Sequence, residues 1–216
     1  MKKIASPLFQ DLSEAELDTL AAAGHLRTRQ FAKHEVIFRA GSCVREIGIV
    51  LRGSVHIENL DLWGTKSILS SVGAGQAFAE TYAFCGEALM VDAVAAEHCE
   101  ILFLHTAALT DARIKPALQD KLLRRLLAVS MRKNLSLSQR IFCTTPKTVR
   151  GRLLTYFSAQ AARCGRMASE VPFNRQQMAD YLNLDRSALS KELCKMRDEG
   201  LLEFDKNRFV LKQLPE

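Results

Sequence analysis

The sequence lacks any apolar run approaching the roughly 20 residues that cross a bilayer, so no membrane-spanning segment and no membrane partner are expected. Its opening, MKKIASPLFQDL, carries lysines but no sustained apolar segment and no small-residue cleavage site, and no signal peptide is expected either. None of the six cysteines (Cys43, Cys85, Cys99, Cys143, Cys164, Cys194) stands in a C-x-x-C pair. That scatter argues against a disulfide framework and against a clustered zinc or iron–sulfur site. It leaves most of them as small core hydrophobes in a reducing cytoplasm. Missing too are a phosphate-cradling G-x-x-x-x-G-K-[ST] loop, a nucleophile elbow and an H-E-x-x-H pair. No catalytic residue, no cofactor and no metal ligand is assigned, and the chain is not expected to be an enzyme.

What the chain does have is an uneven charge. Its 216 residues suffice for one large domain or two small ones. Met1 to Ala108 carries 9 Lys+Arg against 13 Asp+Glu, a net charge of −4, whereas Leu109 to Glu216 carries 21 against 11, net +10. A basic second half is the electrostatic footprint of a binder of phosphate backbones. The acidic first half should stay clear of DNA.

The first half reads as a helix over Leu8 to Gly24, introduced by Ser13 with Glu16 three residues on. Short β segments bounded by glycines follow. Phe31 to Phe38 ends at Gly41, and Glu46 to Leu51 turns at Arg52-Gly53 into Ser54 to Leu60, which reads as a hairpin. Gly64 marks a turn before Lys66 to Ser71. Gln76 to Met90 has no clear period, and strands resume at Val91 to Ala96 and Glu100 to Leu104. Many short strands at regular intervals imply a sandwich, a jelly roll or a barrel.

Leu109 to Phe142 is the longest helix candidate, with Leu122, Leu123, Leu126 and Leu127 at its middle. One register of it, Leu123, Leu127, Ser130, Asn134, Leu137 and Ile141, would build a seam between two subunits. Packing of these leucines within their own domain is the alternative. Thr144, Thr145 and Pro146 break the helix before another over Lys147 to Ala162.

The most informative stretch is Val171 to Leu202. Asn174 and Gln177 form a capping box for a first short helix with Met178, Ala179, Tyr181 and Leu182 on its apolar side. Asn183 and Leu184 turn the chain, and Asp185 caps a second helix that buries Leu189, Leu193 and Met196 and stops at Gly200. Its opposite face carries Arg186, Ser187, Ser190, Lys191 and Lys195. A plain helical hairpin with a solvated basic face is the competing reading. Two features weigh against it: the mixture of hydroxyls and cations at one helix start, and the hairpin-like Leu201 to Lys212 beyond it, turning at Asp205 to Arg208.

In this order the chain resembles the CRP/FNR family of bacterial transcription regulators. The likeness is carried by FAKHEVIFRAG (Phe31 to Gly41), IGIVLRGSVHI (Ile47 to Ile57), GAGQAFAE (Gly73 to Glu80) and NRQQMADYLNLDRSALSKEL (Asn174 to Leu193). It implies an α+β chain. A cyclic-nucleotide-binding-like β-roll sensor would span residues 1–108, a long dimerisation helix 109–143, and a winged helix-turn-helix 144–216. It also implies a homodimer on an inverted-repeat operator in double-stranded DNA, with RNA polymerase as a further partner of an activator. By position, Arg175 would meet a phosphate, while Arg186, Ser187, Ser190 and Lys191 would face the bases. Lys191 stands where the family commonly has an arginine, and Ser187 where many members have a glutamate.

The sensor departs from the cyclic-nucleotide pattern. Those members pair Gly-Glu with a later Arg-Ser or Arg-Thr; here Ala79 precedes Glu80, Leu89-Met90 occupy the arginine's place, and no lysine or arginine lies between Gln76 and Cys99. A buried phosphate would lack a cation, so gating by cyclic AMP is not expected. The expected pocket comprises Phe78, Glu80, Tyr82, Leu89 and Met90, closed by Leu135 and Ser138 of the long helix, for an unknown small organic effector. A vestigial site and a cysteine-redox sensor centred on Cys85 are the alternatives.

Overall fold

The computed structural model describes residues 4–60, 66–165, 167–171 and 173–212. They form two compact units, Met1–Arg132 and Lys133–Glu216, which divide inside one long helix.

The first unit begins with a 3₁₀ turn, Pro7–Phe9, and helix α1, Glu14–Ala22, where the sequence suggested one continuous helix. Ser13 separates them, because its hydroxyl and the Glu16 carboxylate close a complete capping box. The strands are β1 (Leu26–Phe31), β2 (Val36–Phe38), β3 (Glu46–Arg52), β4 (Ser54–Leu60), β5 (Lys66–Gly73) and β6 (Ala77–Phe78). After helix α2 (Glu80–Cys85) come β7 (Asp92–Ala95) and β8 (Cys99–His105). They build two four-stranded sheets, β1-β8-β3-β6 and β2-β7-β4-β5, the jelly-roll alternative among the three left open by strand spacing. The turn expected at Gly64 lies outside the described residues.

The expected hairpin between Glu46–Leu51 and Ser54–Leu60 does not form. β3 pairs with β8 and β6, whereas β4 pairs with β5 and β7, so the chain changes sheets at Gly53. Gly53 has φ +81°, and a Cβ there would lie 2.7 Å from the His98 carbonyl oxygen and 2.8 Å from Cys99 Cβ. Only glycine fits so tight a corner.

β8 is apolar on both faces, and its parity sorts the core. Cys99, Ile101 and Phe103 face the layer between the sheets with Phe31, Val50, Val55 and Phe78. Leu102 and Leu104 turn the other way, joining Ile47, Ile49, Leu17 and Leu20. Successive strand residues point to opposite faces, which is why the run Ile101 to Leu104 reads as unbroken hydrophobicity.

The long helix α3 spans Pro116–Thr144 and starts seven residues later than the sequence suggested. Residues Thr106–Leu109 make a 3₁₀ turn, and Asp111 then holds the connection by accepting from the Arg113 amide and guanidinium and from His25 Nε2 at 2.7 Å. Proline at the helix start has no N–H to leave unbonded. Leu118, Leu122 and Leu126 are buried in the first unit's core, while Leu123, Leu127, Leu137 and Ile141 are exposed. The middle leucines therefore divide between burial in their own domain and exposure to solvent.

In the second unit α4 (Val149–Cys164) follows the expected break, capped by Thr148. Then come β9 (Ala168–Glu170), α5 (Arg175–Leu182), α6 (Arg186–Asp198), β10 (Leu202–Asp205) and β11 (Arg208–Leu211). The strand order is β10-β11-β9, which makes the wing three-stranded where two strands were expected. Leu153, Phe157, Met178, Leu182, Leu189, Leu193, Met196 and Phe209 form its core.

Replacing Gly53 with alanine is expected to cost about 1–3 kcal/mol, from the left-handed backbone and the crowding at His98. Urea denaturation checks this, and an unchanged midpoint would contradict the corner's role.

Candidate nucleic-acid interface and ligand cavity

Both helices of the pair start as their sequence dictates. Asn174 Oδ1 accepts from the Gln177 amide and Gln177 Oε1 accepts from the Asn174 amide, both at 2.9 Å. Asn183 closes α5 in the left-handed region at φ +54°. Asp185 Oδ1 accepts from the amides of Ser187 at 2.8 Å and Ala188 at 2.9 Å. The Ser187 hydroxyl also donates to that carboxylate. These bonds hold the Asp185 carboxyl below its ordinary range, the Ser187 hydroxyl first among the causes.

α6 is amphipathic. Leu189, Leu193 and Met196 are fully buried, and Arg186, Ser187, Lys191, Cys194 and Lys195 are exposed, with Ser190 half-buried between them. Arg186, Ser187, Ser190, Lys191 and Cys194 share one side of the helix at spacings of one, three and four residues. Among the described residues neither Arg186 nor Lys191 has an ion-pair partner. The row thus presents two unpaired cations and two hydroxyls. Its rear is braced by Arg150, whose Nε donates to Glu192 at 2.6 Å and Nη2 to Glu199 at 2.9 Å.

Arg175 sits differently. Its guanidinium lies 4.8 Å from the Phe204 ring centre and 4.9 Å from that of Phe209. Burial there pulls its pKa down. A stacked guanidinium retains in-plane N–H groups.

The expectation that most cysteines are buried needs correction. Cys99 and Cys143 are buried, but Cys43, Cys85, Cys164 and Cys194 are exposed. Cys194 lies on the outer side of α6, a turn beyond Ser190, while its neighbours Leu193 and Met196 pack inward.

In the first unit a cavity of about 240 Å³ is lined by Glu80, Thr81, Phe84, Cys85, Leu123, Leu126, Leu127 and Ser130. No lysine or arginine is among them. Of the expected pocket residues, only Glu80 lines it, and its side chain is buried. Phe78 instead fills the layer between the sheets, its ring 5.7 Å from that of Phe38. Leu89 is buried, with its backbone bonded to Gly41 and Ser42. Tyr82 is half-buried and Met90 lies open to solvent. Ser138 is an exposed residue of the second unit whose hydroxyl donates to Asn134 at 3.4 Å, and Leu135 is exposed beside it. The helix wall of the cavity is made two turns earlier. Ala79, in the left-handed region at φ +62°, starts α2 where a glycine would be unstrained.

Among the described residues no group of three metal-ligating side chains occurs, and no helix is long and apolar enough to cross a membrane.

Residues 28–113 match the family model of the cyclic nucleotide-binding domain, and residues 151–216 match that of the Crp-like helix-turn-helix domain. Among solved structures, the chain is similar to the catabolite activator protein of Thermus thermophilus. The two are 24% identical over 96% of this chain and 94% of that one, with a TM-score of 0.50. It is also similar to FixK2 of Bradyrhizobium japonicum (19% identity, 87% and 93% coverage, TM-score 0.52). A third likeness is to CLP, the c-di-GMP responsive global regulator of Xanthomonas campestris (19% identity, 93% and 100% coverage, TM-score 0.55). No curated protein sequence matches the chain. A nucleotide-binding-type β domain followed by this helix-turn-helix defines a DNA-binding transcription regulator. The chain belongs to the CRP/FNR family.

Because Asp185 titrates low in the folded chain, its contribution to α6 is complete above the ordinary aspartate range near pH 4 and is lost below it, as pH falls through the lower value of the folded chain. The amide resonances of Ser187 and Ala188 should report loosening of the helix start on acidification. Asp185→Asn, which keeps a capping oxygen, should flatten that dependence.

Proposed function

We propose that this chain acts as a homodimer that reads an inverted-repeat operator through α6 and responds to a small apolar effector in the α2–α3 cavity. One observation carries the reading of DNA: the outward row Arg186, Ser187, Ser190 and Lys191 stands on a helix whose entire apolar side is buried. Lys191 donates to a guanine edge as a single point charge, without an arginine's fork. The Ser187 proton is already given to Asp185. Ser187 therefore offers the DNA an acceptor, suited to the amino group of cytosine or adenine. Arg175 meets a phosphate with its in-plane N–H groups from its place on the wing rings.

The exposed row Leu123, Leu127, Leu137 and Ile141 on α3 supports the dimer, since such a row left in water favours a matching helix. Two-fold symmetry then presents two copies of α6 to successive major grooves. An activating role would add RNA polymerase as a partner.

The absence of lysine and arginine from the cavity lining argues against cyclic AMP and against other phosphate esters, including the kind of effector named for the Xanthomonas relative. An apolar molecule with one donor for Glu80 suits the lining better. A second reading rests on Cys85, which is exposed and lines the same cavity. Oxidation of that thiol would then replace effector binding as the signal, over a vestigial site.

Selection from random duplexes should return an inverted repeat. Against it, Lys191→Ala should lower the preference over random DNA by about tenfold. Arg175→Ala should weaken operator and random duplex alike and reduce the salt slope by about one. Equal losses for both variants on both duplexes would contradict this division of roles.

In thermal-shift measurements, apolar metabolites should include one that raises Tm, and cyclic AMP should leave it unchanged. Stabilisation by cyclic AMP would overturn the effector class. No stabilisation by any compound, with DNA affinity abolished by oxidant in the wild type but not in Cys85→Ser, would favour the redox reading.

A further inference from the structure

The carbonyl end of α5 is closed by two arginines that belong to neither helix of the pair. An α-helix leaves its last carbonyls without partners. Here the Ala179 carbonyl accepts from the Leu184 amide at 2.9 Å. Asp180 O, which also accepts from the Asn183 amide at 3.3 Å, and Tyr181 O accept from Nη2 and Nε of Arg140 of α3, both at 3.0 Å. The last two are taken by Arg152 of α4, with Nη1 donating to Leu182 O at 3.1 Å and to Asn183 O at 2.7 Å. Arg152 Nε also donates to Pro146 O at 2.8 Å, tying the α3–α4 link into the same cluster.

Arg140 lies in a strongly basic half of the chain, and charge alone would class it as a phosphate contact. Its fork is instead spent on two consecutive backbone carbonyls, with the Tyr181 ring 5.9 Å from the guanidinium carbon. The C-terminal end of a helix is also its negative pole, so the cation is favoured there twice over. α5 and α6 are joined only by Asn183, Leu184 and Asp185. Whatever fixes that turn fixes the direction in which α6 leaves it.

We infer that Arg140 is a positioning residue: it fastens the turn between α5 and α6 to the last turns of α3, thereby setting the orientation of the α6 row, and touches no DNA. The inference rests on the reading that α6 faces DNA.

The test is fluorescence anisotropy of wild type, Arg140→Ala and Arg140→Lys against the selected operator and a random duplex, over a series of salt concentrations. Arg140→Ala should weaken operator binding about ten- to hundredfold, the range for losing charge-assisted bonds. Random-duplex affinity and salt slope should stay at wild-type values, because no phosphate contact is removed. Arg140→Lys should recover part of the loss, since an ammonium reaches one carbonyl but not both.

A salt slope lower by about 0.9, with both duplexes weakened, would make Arg140 a phosphate contact and overturn the inference. Equal weakening at an unchanged slope would reduce it to a stability effect and overturn it as well, as would no effect at all. Should the alanine variant fail to fold, Arg140→Gln, which keeps one amide donor, is measured by the same criteria. A wild type with no preference for any duplex would instead overturn the reading of α6, before any variant is compared.

Discussion

Placement of α6 depends on closing the ends of two short helices. α5 has eight residues and α6 thirteen, lengths at which an isolated helix is marginal in water. Each end leaves backbone groups that must find partners. Asn174 with Gln177 and Asp185 supply them at the two starts, Asn183 in the left-handed region turns the chain, and two arginines fill the carbonyl end of α5. The apolar core beneath fixes which side of α6 is hidden. The end contacts fix where the visible side points.

These two kinds of constraint were not equally legible in the sequence. Caps act over three residues, so NRQQ and DRSA declared themselves, and Gly200 marked the stop at φ +75°. The period of Leu189, Leu193 and Met196 likewise announced the buried side. Arg140 and Arg152 gave no such signal, because their carbonyl partners lie about 40 and 30 residues away. Gly53 shows the same limit. In sequence Arg52-Gly53 has the form of a hairpin turn, and what makes it a corner between sheets is the backbone at His98 and Cys99.

The pocket expected around Glu80 was less legible than the helix pair. That a buried phosphate would lack a cation followed from the missing arginine, and no lysine or arginine lines the cavity. Which residues line it depended on parity and on the start of a helix. Phe78 belongs to a two-residue strand whose ring lies over Gly48, where a Cβ would come within 2.2 Å of it. Leu89 is held by backbone bonds and buried. With α3 beginning at Pro116, Leu123 to Ser130 stand opposite α2, and the residues expected there fall further along.

α3 is where these features meet. Leu126 belongs both to the buried core of the first unit and to the cavity wall, while Leu123 and Leu127, also on that wall, belong to the outward apolar row. Residues one apart on a helix differ by about 100° in direction. Any rotation that re-seats Leu126 against a molecule in the cavity therefore swings Leu123 and Leu127 relative to a partner helix. Further along the same helix, Arg140 grips the carbonyl end of α5. In the proposed dimer, α3 would thus carry the cavity wall, the partner-facing row and the brace of the α5–α6 turn on one element.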